Sequence, residues 1–363
     1  MIRRQTTLLL RTIKSTTTTT RPRYTIISHN KSLLCCCRRG ISSTSTSSSS
    51  EIIAQGQQQR PDRPRRSLFS VPGSDERKIL KAQTLDADSI VLDLEDGVAY
   101  DRKDVAREIV RNTLLDTSKT FGGKKYNSNT TELCVRINGL DTNEIALNDL
   151  NAILPCDRLQ AIVIPKVECA SDIHFVSRMI DTHCNNKDVR IIAAIESAKG
   201  FLNLREIANT STTSTMNQRL DALVFASEDF CADIEAIRTQ DGNELLYARS
   251  QLVITAKAYS LQAIDMVHIN FRNLNELKNE CITGRQLGFT GKQAIHPNQI
   301  DIIHEEFSPS LKDIIFATKV VKEFQHTTTI DGKGSCVVDG IVVDLPVYKW
   351  AVKICKWAEK MRK

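Results

Sequence analysis

Twice in this chain an apolar run ends on an acid and breaks directly into a helical stretch: Ala194-Ile-Glu196-Ser and Phe225-Ala-Ser-Glu-Asp229-Phe. Glu196 and Asp229 lie 33 positions apart. Strands that finish on carboxylates just before a helix are how an α/β barrel displays metal ligands at its rim, because the strand ends and the following loops form the active face. The pattern therefore reads as an enzyme.

Working outward from that pair, short runs rich in Val, Ile, Leu or Ala recur at Ser67–Val71, Ile90–Leu94, Leu133–Ile137, Ala161–Pro165, Arg190–Ile195, Ala222–Ala226, Ala263–Ile269 and Gly291–Ile295. Helical spacing of apolar residues fits between them, over Asp75–Leu85, Arg102–Leu115, Asn143–Ile153, Ala170–Asp181, Lys199–Ala208, Asn243–Ser260 and Leu274–Leu287. Eight strands are what a closed parallel barrel requires. Strands covered by helices on one face and buried in a barrel on the other need not alternate polar and apolar, and most of these do not. The expectation is an α/β fold, a TIM (β/α)8 barrel over residues 65–305. A doubly wound open sheet is the competing architecture, but no Gly-x-Gly-x-x-Gly follows the first strand. Asn127–Thr131 and Asn209–Met216 read as polar loop tips without chemistry.

The residues at the strand ends are polar: Pro72-Gly-Ser74, then Asp93, Glu95 and Asp96, Arg136 and Asn138, Lys166 and Glu168, Glu196, Glu228 and Asp229, and His296-Pro297. Carboxylates from adjacent strands make an oxygen-rich site suited to Mg²⁺, so Glu196 and Asp229 are the candidate metal ligands. Either acid could instead cap the helix that follows it. Glu228 and Glu95 divide between supporting the site and facing solvent. Arg136, inside Cys-Val-Arg-Ile-Asn, either points into the barrel mouth to meet an enolate or carboxylate oxygen or pairs with Asp93 or Glu95, and both can hold together. Arg77 and Lys81 fall four apart on one helix face beside the mouth, where they could grip phosphates, although surface cations are common there.

The first 50 residues stand apart, with nine Lys or Arg and no Asp or Glu. Rich in Arg, Ser and Thr, with Leu8, Leu9, Leu10 and Ile13 among the basic residues, they look like a mitochondrial transit peptide; a low-complexity arm is the plainer reading. Residues 51–64 form a lead-in. Subtracting the arm's +9 from the net +6 leaves −3 for the remainder, which removes the main support for a nucleic-acid role. Eight of the 11 cysteines lie beyond the arm, scattered without zinc spacing, and read as reduced thiols. No run approaches the roughly 18 apolar residues that span a bilayer, so no membrane partner is expected.

Residues 306–363 exceed what a barrel needs. They suggest a helix from near Pro309, a Gly-containing stretch 331–334, a hairpin turning at Asp339-Gly340 between β-branched runs, and a last helix through Trp350 and Trp357. By local rules Asp344, in Asp-Leu-Pro, is that helix's N-cap.

Seven segments in fixed order resemble one family across Arg66 to Leu345. They are Arg66-Ser-Leu-Phe-Ser-Val-Pro-Gly, Val91-Leu-Asp-Leu-Glu-Asp-Gly-Val, Val135-Arg-Ile-Asn, Ile164-Pro-Lys-Val-Glu, Ala194-Ile-Glu-Ser-Ala-Lys-Gly, Ser227-Glu-Asp-Phe and Gly288-Phe-Thr-Gly-Lys-Gln-Ala-Ile-His-Pro. The chain resembles the citrate lyase β-subunit-like family of Mg²⁺-dependent CoA-ester lyases. That resemblance implies a TIM barrel whose Glu196 and Asp229 bind Mg²⁺, whose Arg136 contacts substrate, and whose Arg77, Lys81, Ile295 and His296 lie along coenzyme A. It implies that Asp344 is a catalytic acid/base on a segment lying over a neighbouring subunit, in a homo-oligomer, specifically a trimer. The activity implied is carbon–carbon cleavage of citramalyl-CoA to acetyl-CoA and pyruvate in the mitochondrial matrix, with a malate synthase-like reverse reaction. A malyl-CoA thioesterase, a subunit of a larger citrate lyase complex and a non-catalytic CoA-binding protein are the other readings. One position departs from the pattern, since Ser70 stands where the family places a substrate-contacting Tyr.

Overall fold

The computed structural model describes residues 63–118, 120–122, 131–212, 218–330 and 334–362. The basic arm, most of the lead-in, residues 127–130 and 213–216 of the two polar stretches, and 331–333 lie outside the described residues. Eight parallel strands close on themselves in chain order: β1 Ser67–Pro72, β2 Ser89–Asp93, β3 Glu132–Arg136, β4 Ala161–Ile164, β5 Arg190–Ile195, β6 Leu220–Phe225, β7 Gln262–Asp265 and β8 Gly291–Ala294. The pairing of β8 with β1 closes the cylinder and rules out an open sheet. Each strand is buried on both faces, which is why its sequence runs apolar without alternation. Leu68, Val91, Cys134, Val163, Ile192, Val224 and Ile264 fill the inside, as a cluster distinct from the larger apolar shell between strands and helices.

The expected elements differ from the observed ones where a side chain takes over a backbone's task. Strand β7 stops at Asp265, four residues short of the expected Ile269, because the Asp265 carboxylate accepts from the N–H of Met266 at 3.0 Å and His268 turns in to meet Glu280. The helix expected over Lys199–Ala208 is two, Ala198–Leu202 and Leu204–Asn209, broken at Asn203, whose side-chain amide donates to the Glu168 carbonyl at 2.8 Å. Asn209, expected in a loop, ends the second of these. A helix at Ile300–Phe307 that the sequence reading had missed completes the outer ring. Its Ile300, Ile303 and Phe307 are buried, and its His304 ring shares a 2.8 Å hydrogen bond with Ser67 on β1.

The foot of the cylinder, where the strands begin, is closed by charge. Arg65, with no solvent exposure, donates to Glu132 through Nε at 2.6 Å and Nη2 at 2.7 Å, and to Asp221 through Nη1 at 2.8 Å. Ser89 adds a 2.9 Å bond to Glu132. Burial pushes the Glu132 carboxyl up, but the charge and hydrogen bonds of Arg65 overcome that and hold it at about 2. A buried ion pair of this kind is satisfied only when every partner is present.

Beyond the barrel, a helix at Leu311–Ile330 leads to β9 Cys336–Val338 and β10 Ile341–Val343, then to a last helix Leu345–Arg362. Val338 pairs with Ile341, so Asp339 (φ 50°) and Gly340 (φ 81°) alone make the turn, both left-handed as a type I′ hairpin demands. Ala317, Val320, Phe324, Val338, Val343 and Ala351 form a core separate from the barrel's.

Candidate active site

At the opposite end of the cylinder, the β5 and β6 acids come together. Glu196 is buried, and its carboxyl lies within hydrogen-bonding reach of Asp229, which sits exposed in the first turn of the helix Ser227–Asp233. Packing fixes both. Phe201 follows Glu196 on the next helix, Phe230 follows Asp229, and Phe225 ends β6. The three rings pack at centroid distances of 4.7 to 5.6 Å. Glu196 is not a helix cap, because Ser197 takes that part by accepting from the N–H of Gly200. The N–H of Lys166, whose backbone is left-handed at φ 52°, donates to the Glu196 carboxylate. Burial, then the neighbouring Asp229 carboxyl, push Glu196 up to about 8.

Two facing carboxylates, one buried and resisting ionisation, are a donor set that a divalent cation relieves, and an all-oxygen set suits a hard ion such as Mg²⁺. Among the described residues there is no cluster of three or more His, Cys, Asp or Glu side chains able to hold a metal. A pair suffices for Mg²⁺, which keeps several waters and takes one or two carboxylates together with substrate oxygens.

Arg136, at the end of β3, is linked to the acid pair through Glu95 and Lys166. Both expected readings of it hold: it pairs with Asp93 through Nε and Nη2, each at 2.7 Å, reaches Glu95 through Nη1 at 2.8 Å, and still lines the open cavity. Asp93 is itself held by the N–H groups of Glu95 and Gly97, each at 2.9 Å. A Cβ at position 97 would meet the Asp93 carboxylate at 2.4 Å, so only glycine fits there. Burial opposes the Arg136 charge, yet the hydrogen bonds and charge of Asp93, with Glu95 and Asp96, hold its pKa above the usual value. Lys166 donates to the other Glu95 oxygen at 2.9 Å. Burial raises the Glu95 carboxyl although Arg136 and Lys166 pull it down. Glu95 thus belongs to the site's support. Glu228 faces outward, bonded to Ser227 at 3.0 Å and Arg238 at 3.3 Å.

A cavity of about 430 Å³ opens over the β1, β2, β3 and β8 side of the mouth, lined by Ser70, Lys78, Lys81, Arg136, Ile295 and His296 among others. Lys81, Ile295 and His296 are thus brought to one lining, together with Ser70. Arg77 lies exposed on the same short helix, outside that lining, and the cavity's second ammonium is Lys78, which the sequence reading did not single out. Lys166 was named only as a strand-end residue; the Pro165-Lys166 step was the available signal for its role. Asn138 is structural, its amide spent on Asp149 at 2.7 Å and on the Leu94 carbonyl at 2.9 Å. Asp344 stands apart from all of these: exposed at the start of the last helix, it accepts from the N–H of Val347 at 3.2 Å, the N-cap that local rules foretold.

The family model described as HpcH/HpaI aldolase/citrate lyase matches residues 66–297, strand one to the end of strand eight. The chain belongs to this family. Mitochondrial citramalyl-CoA lyase of Mus musculus is 37% identical over 306 residues, covering 82% of this chain and 87% of that one. A (3S)-malyl-CoA thioesterase of Cereibacter sphaeroides is 36% identical over 281 residues, covering 77% and 90%. Among solved structures, the CitE protein of Mycobacterium tuberculosis, in complex with magnesium, acetoacetate and coenzyme A, is 25% identical with a TM-score of 0.64, covering 82% of this chain and 98% of that one. Among the described residues no helix is long and apolar enough to cross a membrane.

Proposed function

We propose that this enzyme is a Mg²⁺-dependent CoA-ester lyase that cleaves citramalyl-CoA to acetyl-CoA and pyruvate. The observation that carries the reading is the Glu196–Asp229 pair, linked through Lys166 and Glu95 to Arg136, which lines a cavity bearing two lysines. The substrate assignment draws on the citramalyl-CoA lyase relatives, and the metal on the magnesium complex of the CitE neighbour.

Glu196 and Asp229 would hold the ion, which when bound supplies Lewis-acid charge for the substrate's hydroxyl and carboxylate oxygens. As the hydroxyl passes its proton to Asp344 acting as base, the carbon–carbon bond breaks, the pyruvate carbonyl forms, and the electron pair passes to the thioester. Arg136 keeps donors unspent by Asp93 and Glu95, and these meet the enolate oxygen of the departing acetyl group. Asp344 delivers the proton that the enolate carbon needs. Lys81 and Lys78, with Arg77 on the same helix, hold phosphates of the coenzyme, while Ile295 and His296 flank it. Run backwards, the groups would condense acetyl-CoA with pyruvate or glyoxylate.

Asp344 serves the barrel of a neighbouring copy in a homotrimer. Support comes from its exposure and from the apolar surface around it: Val337, Ile341, Val342 and Leu345 are each about half exposed or more. Surface of this kind commonly marks an interface. Residues 1–50 are removed on import and the mature chain works in the mitochondrial matrix, in keeping with the acid-free arm and the mitochondrial relatives.

The thioesterase relative favours one rival, hydrolysis of malyl-CoA at its carbonyl. Incubating the purified chain with citramalyl-CoA and malyl-CoA, with and without Mg²⁺, separates the two. Acetyl-CoA plus pyruvate supports the lyase; free citramalate or malate supports the thioesterase and overturns it.

A further inference from the structure

The cavity wall formed by Ile295 and His296 lies just past the end of β8, where the ladder stops at Ala294 and backbone N–H groups lose their strand partners. One buried side chain receives them. The Gln299 amide oxygen accepts from the N–H of Ile295 at 2.8 Å and of His296 at 3.2 Å, and its NH₂ donates to the His268 carbonyl at 2.8 Å. Gln299 has no solvent exposure.

His268 belongs to the loop after β7, and it is pinned in turn. Its Nδ1 meets Glu280 at 3.0 Å and its Nε2 the carbonyl of Asn273 at 3.2 Å, while Glu280 pairs with the buried Lys292 of β8 at 2.9 Å. From the same loop Phe271 reaches back and stacks on the His296 ring, centroids 4.7 Å apart and planes 21° from parallel. The wall is therefore gripped twice by the β7 loop, through the Gln299 amide behind its backbone and through the Phe271 ring against its side chain.

We infer that Gln299 and Phe271 are positioning residues for the CoA thioester: they set the backbone and ring of Ile295 and His296 and so determine affinity for coenzyme A, without touching the groups that break the bond. An amide suits the task because it accepts from two N–H groups and donates to a carbonyl at once. A glutamate would set a second acceptor against the His268 carbonyl, and a leucine would leave the two N–H groups without their acceptor and the His268 carbonyl without its donor. The inference rests on the reading of this cavity as the coenzyme site.

The test is calorimetric titration of the full chain with coenzyme A, and separately with Mg²⁺, for the wild type, Gln299→Leu, Gln299→Glu and Phe271→Ala. Phe271 is partly exposed, so its truncation should fold even where the buried changes do not. The expected result is coenzyme A binding weakened about tenfold in each variant, Mg²⁺ binding unchanged, and KM for the thioester raised with kcat nearly kept. Wild-type affinity for coenzyme A in Phe271→Ala and in whichever Gln299 variant folds would overturn the inference. Equal loss of kcat and of Mg²⁺ binding would overturn it too, by showing general damage to the barrel mouth. No coenzyme A binding by the wild type would instead remove the reading of the cavity, and this inference with it.

Discussion

Both ends of the cylinder carry an arginine among carboxylates, and they are built to opposite ends. At the foot, Arg65 is fully buried between Glu132 and Asp221, and its charge and hydrogen bonds overcome burial to hold Glu132 at about 2. At the mouth, Arg136 keeps about a quarter of its side-chain surface open (24%), and the acids around it are uneasy: Glu95 is raised and Glu196 stands at about 8. The foot has completed its electrostatics within the protein. The mouth has left part of its own for something else to complete, and perturbed acids beside an open cavity are the mark of a functional site.

The sharpest way to break that contrast is to alter one acid at each end. Glu196→Gln should lower Mg²⁺-dependent turnover on the order of a thousandfold, since the loss of several kcal/mol of charge stabilisation translates into that range. Its unfolding midpoint in urea should hold or rise, because a buried carboxyl that must take up a proton on folding at neutral pH is replaced by a neutral amide. Asp344→Asn should cut product formation to a similar degree while calorimetry still records Mg²⁺ and coenzyme A binding; full activity would take Asp344 out of the mechanism. Glu132→Ala should do the reverse. Leaving Arg65 buried without its main partner should cost about 3–5 kcal/mol in urea unfolding, with activity per folded molecule kept.

Acid should act on the foot in a predictable direction. Glu132 ionises at about 2 in the fold against an ordinary 4.5, so its contribution is complete above the unfolded value and is lost as pH falls from about 4.5 towards 2. Glu280, also held at about 2, by His268 and Lys292 against its burial, adds to the same window. Urea midpoints should stay level from neutral pH down to about 5 and drop below it by an amount on the order of 3 kcal/mol for Glu132 alone. A midpoint unchanged at pH about 3 would show that the foot contributes no such linkage. The smallest effect belongs to Lys166→Gly. Freeing a left-handed residue and loosening the unfolded chain nearly cancel, so stability should move by no more than about 1 kcal/mol. Turnover should still fall, because the Glu95 contact is lost and the N–H facing Glu196 is less firmly aimed.

The mouth was more legible than the foot. Glu196 and Asp229 announced themselves because a strand end shows its acid next to a helix start in the same few residues, and the structure puts their carboxyls within hydrogen-bonding reach. The Arg65–Glu132–Asp221 cluster joins residues 67 and 156 positions apart, and no local pattern reports such a pairing before the barrel is closed. The Asp339-Gly340 turn was readable because its left-handed φ values constrain residue type directly. The end of β7 was not, because His268 looks like one more strand residue until Glu280 comes round on the helix Leu274–Leu287. Arg77 and Lys81 were paired by spacing alone, and spacing could not tell that Lys78 would share the lining with Lys81.

The ionic stopper at the foot also governs traffic. With side chains filling the interior above that stopper, the cylinder has a single open face, and whatever reaches the acid pair must come and go through the mouth. A through-channel is excluded by packing and charge alone, without any moving part.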